Sequence, residues 1–219
     1  SGITNFNFKY DFKHYINDKF KLQYGLNSIY HTFNPGEIEP STPTSGINPR
    51  ELIKKYAFEN AIYIDAEHSI NNNLTLSYGL RLSSFLRLGQ DELNTYSNNN
   101  PVNYNPTFGI YQKANLTVVE KFKRSDIIES FANLEPRFSL SYQLNETTSL
   151  KTSYNRLSQY LHLLSNTTSP TPLDIWTPSG KFVKPQLLDQ VAFGYFKNMN
   201  NSKYSLEVET FYKKIQNRI

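Results

Sequence analysis

Hydrophobic and polar residues alternate along the stretch NNNLTLSYGLRLSSFL, which runs from residue 71 to residue 86. Its even positions carry Leu74, Leu76, Tyr78, Leu80 and Leu82, and small or polar residues fill the odd positions between them. This period of two predicts a strand with one apolar and one polar face, because successive side chains of a strand point to opposite sides. The alternation leaves open whether the apolar face contacts a protein core or lipid.

The same alternation recurs along the chain, and Asn60 is an exception on the apolar side of its segment. Sixteen Tyr and fifteen Phe residues also favour strands, since aromatic side chains fit a pleated surface. We therefore predict an all-β chain of about eight antiparallel strands. The eight segments are residues 5–15, 19–32, 55–69, 71–86, 133–144, 149–160, 189–197 and 203–215.

The connections between these segments alternate strictly between short and long. Short turns such as NNN and NETT close four hairpins, whereas the long connections cover residues 33–54, 87–132 and 161–188. In an up-and-down sheet this alternation places every short turn at one end. Long loops without structure of their own are uncommon in compact soluble domains, but outer-membrane barrels combine short periplasmic turns with long external loops. The pattern predicts part of an antiparallel up-and-down transmembrane β-barrel.

The charged residues of the strands fall on the face opposite the apolar stripe. Burying so many charges inside a sandwich would be costly, so this face is expected to contact water. A half-exposed soluble sheet shares that property, but inside a membrane a closed barrel is the stable arrangement with one wet face. The residues that we expect to face the lumen are Arg81, Glu135, Arg137, Lys151, Glu207 and Glu209.

Composition narrows the class of protein further. The 219-residue chain has a net charge of +4, no cysteine, and apolar runs far shorter than the roughly 18 residues of a membrane helix. A barrel strand needs apolar residues at only half of its positions, so a polar composition is compatible with a barrel. Basic residues are scattered, and we predict no nucleic-acid surface. Both ends lie within strand-like pattern without a signal peptide, which predicts a piece of a longer chain.

The residues from 131 to 213 resemble the barrel of a TonB-dependent outer-membrane receptor of the kind common in Bacteroidetes. The resemblance is carried by FANLEPRFSLSYQLNETTSLKTSYNRLSQYLHLLSN, TPLDIWTPSGKFVKPQLLDQVAFGYF and SLEVETFYKKIQNRI, and upstream by FENAIYIDAEHSINNNLTLSYGLRLSSF. It implies a barrel of about 22 strands with a plug domain in its lumen. It also implies an inner-membrane TonB complex that supplies energy by pulling on a short N-terminal box. Residues 1–219 would then be barrel alone, with no plug domain present.

On this resemblance, the partners are outer-membrane lipid, the protein's own plug domain, the TonB complex, and a small-molecule or oligosaccharide ligand. The location would be the outer membrane of a Gram-negative bacterium. The charged polar face would serve as a lumen lining or as plug contacts.

Four residues are candidates for ligand contacts in or near the external loops. Trp176, beside Asp174, is suited to stacking on a ring of a ligand, although an indole that fixes its loop to the barrel rim explains it better. Arg156 and Gln159 are candidates for holding a ligand or a plug group, with a structural hydrogen-bonding role at least as plausible. The sequence NRLSQYLHLLSN, residues 155–166, is expected to end a strand and continue as a short rim helix.

No pattern in the sequence indicates a metal site, a cofactor or an enzyme. The four histidines are far apart, and no pair has metal-ligand spacing. Acidic pairs such as Glu207 with Glu209 also occur in glycosidases, but a polar lining explains them better here. We find no nucleophile elbow, phosphate loop or zinc pattern.

These observations favour a barrel segment of a receptor for TonB-dependent uptake of a scarce nutrient, such as a siderophore, haem, a vitamin or a glycan. Two alternatives stay open at this point. One is a self-contained eight-strand outer-membrane barrel with a structural or adhesive role, since eight strands can close. The other is a soluble β domain that binds carbohydrate.

Overall fold

The computed structural model describes residues 2–38, 40, 42, 46, 50–90, 92–164, 174–201 and 203–218. Strands dominate this part of the chain, with one short 3₁₀ helix at Ser97–Asn99. The strands, in chain order, are β1 (Gly2–Asn17), β2 (Phe20–Asn34), β3 (Glu37–Ile38), β4 (Arg50–Glu51), β5 (Lys55–Ser69), β6 (Leu74–Leu88), β7 (Leu93–Tyr96), β8 (Val102–Asn105), β9 (Ile110–Lys113), β10 (Leu116–Glu120), β11 (Ile127–Asn145), β12 (Thr148–Gln159), β13 (Leu161–Leu164), β14 (Ile175–Pro178), β15 (Gln186–Met199) and β16 (Tyr204–Gln216).

The eight long strands form one antiparallel sheet in the order β1-β2-β5-β6-β11-β12-β15-β16. Each pairs with its neighbours along the chain, as the alternating segments predict. The observed strands are longer than predicted at several ends, most clearly β11, which begins at Ile127 rather than at residue 133. The all-β, up-and-down architecture is therefore confirmed.

Tight turns close one end of this sheet, and asparagine contributes to all four of them. At the β5–β6 turn, the Asn71 side-chain oxygen accepts hydrogen bonds of 2.9 Å from the backbone N–H groups of Asn73 and Leu74. At the β15–β16 turn, Asn200 and Asn201 adopt φ values of 53° and 52°. Asparagine tolerates this left-handed conformation and bonds its own backbone, which explains the Asn-rich turns of the sequence.

The long connections at the other end of the sheet contain short hairpins of their own. β3 pairs with β4, β10 with β7, β9 with β8, and β13 with β14. The predicted helix after β12 is wrong, because residues Leu161–Leu164 form a strand opposite Ile175–Pro178. In this strand the clustered leucines point alternately to the two faces of the hairpin, whereas a helix would place them on one side. Residues 165 and 166 of the predicted helix lie outside the described residues.

One face of the sheet carries exposed apolar side chains. Leu76 of β6 lies opposite Leu140 of β11, so the apolar stripes of neighbouring strands are in register. Ile62 and Ile64 on β5 are 61% and 50% exposed on this apolar face. The exception, Asn60, accepts a 2.8 Å hydrogen bond from the hydroxyl of Ser28, so its amide oxygen is paired within the sheet.

The other face, called the polar face below, carries a buried aromatic cluster near the loop end. Phe33, Ala57 and Phe85 are fully buried there, and Tyr160 is nearly so. The rings of Phe85 and Tyr160 stack with centroids 4.8 Å apart and an interplanar angle of 5°. The sequence predicts a charged, water-exposed surface over the whole polar face. The structure differs at the loop end of this face, where the aromatic cluster is buried.

The eight-stranded sheet is open at both sides. Among the described residues, β1 pairs with β2 alone and β16 with β15 alone. The closed eight-strand barrel considered above would require β1 and β16 to pair with each other.

The described residues include no helix that is long and apolar enough to cross a membrane.

Candidate functional site

Charged side chains on the polar face form a network across five neighbouring strands. Guanidinium nitrogens of Arg81 on β6 lie 3.8 Å from a Glu135 carboxylate oxygen and 4.0 Å from one of Glu59. The second Glu59 oxygen lies 3.6 Å from His31 Nε2. His31 Nδ1 lies 2.8 Å from the side-chain oxygen of Asn5 and donates to it, because an amide oxygen can only accept. Strands β1, β2, β5, β6 and β11 are thereby joined through side chains as well as through backbone.

A chain of hydrogen bonds supports Glu135, which is buried. The Ser83 hydroxyl donates to Glu135 Oε1 over 2.6 Å, so the Tyr160 hydroxyl, 2.7 Å away, must donate to Ser83. Tyr160 in turn accepts from the side-chain amide of Asn133 over 2.9 Å. Every donor in this series points towards the carboxylate, which compensates the cost of burying its charge.

Arg137 and Asp65 meet across the intervening strand. Their charged atoms lie 3.0 Å apart, although Arg137 is on β11 and Asp65 is on β5. The position between them on β6 is Gly79, which is the register partner of both residues. A Cβ atom at Gly79 would lie 1.8 Å from Asp65 Oδ1, so the ion pair requires glycine there.

The same arrangement occurs two strands away. The Tyr63 hydroxyl of β5 donates to the Asp11 carboxylate of β1 across Gly25 of β2. A Cβ atom at Gly25 would lie 2.8 Å from the Tyr63 hydroxyl oxygen and closer still to the Tyr10 carbonyl oxygen. Glycine on the polar face therefore marks positions where side chains from the flanking strands cross.

The remaining lumen-facing candidates lie on the polar face towards the β16 side. The Lys151 ammonium lies 4.8 Å from the ring centroid of Phe196, which packs over Gly194. Glu209 is the register partner of Gly194, and Glu207 is that of Phe196. Both glutamates are exposed on the edge strand. This region therefore presents exposed carboxylates on the polar face.

Two cavities of about 340 and 210 Å³ lie among the long connections. Lys55, Gln90, Leu93 and Phe182 line both of them. The Lys55 ammonium donates a 2.9 Å hydrogen bond to the Thr177 hydroxyl. These cavities offer a cation, an amide and an aromatic ring to a solute at the loop end.

The buried guanidinium of Arg87 forms the floor beside the smaller cavity. Its Nη1 donates to the carbonyl oxygens of Tyr56 over 2.6 Å and of Leu88 over 3.2 Å, and its Nη2 donates to the Gln90 side chain. Carbonyl acceptors, which carry no net charge, therefore fill most of the hydrogen-bonding capacity of Arg87. We assign Arg87 the role of fixing strand ends to the adjoining loop.

The β13–β14 hairpin contains two of the sequence-predicted ligand candidates. Trp176 lies opposite Leu163 and is 36% exposed, whereas Asp174 is buried. In the same hairpin, His162 is 2% exposed, and its Nε2 lies 2.9 Å from the Ser179 hydroxyl. Burial lowers the pKa of His162, because the charged imidazolium loses hydration.

The other two candidates are engaged within the sheet. Arg156 lies on the apolar face, where its Nε is 3.7 Å from Asp189, so its position differs from a plug or ligand contact on the polar face. Tyr154 donates a 2.8 Å hydrogen bond to the same Asp189. Gln159 donates to the Leu161 carbonyl oxygen over 2.7 Å, across the interruption between β12 and β13. The structure therefore does not unite Arg156 and Gln159 with Trp176 in one site.

Sequence reasoning missed the cavity residues Lys55, Gln90 and Thr177. They are far apart in the chain and are united only by the folding of the long connections, so no local spacing indicates them. Arg87 was detectable in principle, since it continues the odd-numbered polar series of β6 beyond Arg81. No group of three or more His, Asp or Glu side chains in the described ranges could hold a metal ion.

Three solved structures are similar to this chain in fold. Two are variants of the FrpB iron transporter from Neisseria meningitidis. The F3-3 variant has a TM-score of 0.57 and 17% sequence identity, and the match covers 97% of this chain and 28% of that one. The apoprotein form of the F5-1 variant has a TM-score of 0.57 and 16% identity, and the match covers 97% of this chain and 29% of that one. The third is the closed form of the ferric-catecholate import receptor Fiu from E. coli K12. Its TM-score is 0.54 and its sequence identity 14%, and the match covers 98% of this chain and 31% of that one. The chain thus spans less than a third of the length of each.

A search of curated protein sequences found no match. The family model described as TonB dependent receptor-like, beta-barrel matches residues 1–219. Since that match covers the whole chain and agrees with the up-and-down sheet, the protein belongs to the TonB-dependent receptor β-barrel family.

Proposed function

We propose that this chain is a segment of the barrel wall of an outer-membrane receptor that takes up a scarce nutrient in a TonB-dependent manner. The observation that carries the proposal is the match of the family model to the whole chain. Two structural features support it. The sheet has one apolar and one charged face, and all of its long connections lie at one end. Both are properties of outer-membrane barrels.

In this proposal the two faces of the sheet and its loop end have different roles. The apolar face contacts outer-membrane lipid, and the polar face contacts the plug domain of the full-length protein. Arg81, Glu135 and Arg137 fix the strands that hold the plug, while Glu207 and Glu209 offer exposed carboxylates to it. Lys151 lies between these two groups on the same face.

The loop-end cavities are the proposed contact region for the solute. Lys55, Gln90 and Phe182 supply the polar and aromatic groups there, and the exposed Trp176 lies in the adjoining hairpin. Siderophore, haem, vitamin and glycan are the candidate solutes. An iron complex is the first to test, since the names of the similar structures identify an iron transporter and a ferric-catecholate import receptor. A source among Bacteroidetes stays a prediction.

Uptake in cells tests the proposal. Deleting the gene for the full-length protein is expected to abolish growth on one limiting iron complex, haem, vitamin or glycan, and restoring it should restore growth. Deleting the TonB complex in the restored strain should abolish that growth again. Growth that is independent of TonB on every solute, or a protein that fractionates outside the outer membrane, would contradict the proposal.

A further inference from the structure

A basic turn precedes β11 at the loop end of the sheet. We use this name for residues 121–126, with the sequence KFKRSD, which place Lys121, Lys123 and Arg124 within four positions. All three side chains are exposed. The net charge of this segment, counting Asp126, is positive.

Backbone contacts hold the basic turn against the end of β6. The N–H of Gly89 donates to the Asp126 carbonyl oxygen over 2.8 Å, and the N–H of Lys123 donates to the Asp126 carboxylate over 2.8 Å. A Cβ atom at Gly89 would lie 1.9 Å from the Lys123 carbonyl oxygen, so only glycine permits this approach. The turn is therefore a fixed element, and its cations are presented in one place.

Arg124 extends from this turn onto the apolar face of the sheet. Its Nε donates to the Tyr30 hydroxyl over 3.1 Å, and its guanidinium carbon lies 4.0 Å from the ring centroid of Tyr56. The register partners of the two tyrosines, Phe58 and Leu88, confirm that both rings belong to the apolar face. A cation held over aromatic rings is stabilised there without a carboxylate.

Strand length places this contact at the membrane boundary. About 9 to 11 tilted residues cross the hydrocarbon layer, whereas β2 and β5 each have 15 residues. Tyr30 lies ten positions from Phe20 at the turn end of β2, so it reaches the external boundary of that layer. Tyrosine is enriched at this level of membrane proteins, and head-group phosphates lie beside it.

Arg124 has capacity left for an anion. Tyr30 occupies its Nε–H, and no carboxylate in the described part of the chain forms an ion pair with it. The terminal guanidinium nitrogens are suited to two parallel hydrogen bonds with phosphate oxygens. Lys121 and Lys123 add two exposed positive charges within the same turn.

We propose that the basic turn, with Arg124 seated on Tyr30 and Tyr56, binds the phosphorylated head group of a lipid in the outer leaflet. The site is separate from the loop-end cavities, so it concerns the lipid around the barrel and not the transported solute. The proposal rests on the outer-membrane location given under the proposed function.

The test uses the protein at its full natural length, purified in detergent, with diphosphoryl lipid A as the probe. Binding is measured by native mass spectrometry, alongside the same lipid with both phosphates removed and alongside inorganic phosphate. The central variant is Arg124→Gln. The matched control is Arg156→Gln, which removes the same charge from the same face but at a residue already paired with Asp189.

We expect diphosphoryl lipid A to bind more tightly than the dephosphorylated lipid, and Arg124→Gln to weaken it about tenfold. Arg156→Gln should leave the affinity unchanged. Equal binding of the two lipids by the unaltered protein would overturn the proposal. This comparison does not depend on whether any variant folds. Equal loss of affinity in both variants would also overturn it, as would inorganic phosphate that binds as tightly as the lipid.

Heat-dependent gel migration reports barrel formation separately, so failure of the outer-membrane assignment is distinguishable from failure of the lipid site.

Discussion

At the scale of single residues, glycines on the polar face determine which side chains can meet. Gly79 and Gly25 each lie between two polar partners from the flanking strands, and one partner of each pair, Asp65 or Tyr63, occupies the space where a Cβ atom would be. Glycine weakens a strand because it loses more conformational entropy on folding than other residues. At these two positions the entropy cost is offset by cross-strand contacts, which a larger residue would prevent.

Gly79→Ala is therefore expected to destabilise the barrel by about 1 to 3 kcal/mol, since it separates Arg137 from Asp65 and leaves polar groups unpaired. Urea unfolding of the full-length protein in lipid vesicles, monitored by Trp fluorescence, measures the change. Gly180→Ala is the matched control, because the nearest atom to its Cβ would be 3.7 Å away. Equal stability of the two variants would contradict the proposed role of Gly79.

The second residue-scale prediction concerns the hydrogen bonds to Glu135. Ser83→Ala and Tyr160→Phe should each cost about 1 to 3 kcal/mol, and the double variant should cost less than the sum, since both changes interrupt one chain of donors. Unfolding free energies of the three variants give the coupling. Ser84→Ala, on the opposite face, serves as the control. Simple additivity would show that Ser83 and Tyr160 act independently.

At the scale of elements, the two faces of each strand should respond differently to charge. Leu140→Arg places a cation on the apolar face and is expected to cost about 2 to 4 kcal/mol near the bilayer midplane. Ser139→Arg, one residue earlier, places the same cation on the polar face and should cost much less. Unfolding in lipid vesicles compares the two variants. A larger cost for Ser139→Arg would mean that the faces are assigned the wrong way round.

The β13–β14 hairpin is expected to open as the pH falls. Burial lowers the pKa of His162 in the folded hairpin below the ordinary value of about 6.5, so the open form binds a proton first. The stability due to neutral His162 is thus complete above about pH 6.5 and is lost as the pH falls towards the folded pKa. Hydrogen exchange of residues 160–164, corrected for the intrinsic rate at each pH, measures the opening.

Replacing His162 with Gln should remove this pH dependence while the hydrogen bond to Ser179 is retained. His14→Gln, at an exposed position near the turn end of β1, should leave it unchanged. Exchange that is equally pH-dependent in all three proteins would assign the effect to another group.

At the scale of the whole molecule, the open sides of the sheet have a direct consequence. β1 and β16 each present an unpaired backbone edge among the described residues. Residues 1–219 expressed alone in detergent are therefore expected to self-associate through these edges. Light scattering after size-exclusion chromatography measures the mass, and the full-length protein is the control. A monodisperse monomer would show that the edges are closed in some other way.

The sequence predicted the whole-molecule architecture well because strand alternation and connection length are local signals. It placed all eight long strands, their order and their turns. It did not predict the hairpin at Leu161–Leu164, because the partner strand that makes this segment extended lies beyond a long connection. It also missed the joint role of Lys55, Gln90 and Thr177, whose proximity depends on how three separate connections fold.

Each long connection begins and ends at neighbouring positions of the sheet. Leu88 and Ile127 are register partners, as are Gln159 and Gln186, so the span that each connection must close is fixed by the strands. The entropy of closing a loop grows only slowly with its length. Foreign sequences inserted into these connections should consequently leave the strand register intact. Under the outer-membrane location proposed above, this segment would then serve as a platform for displaying peptide antigens.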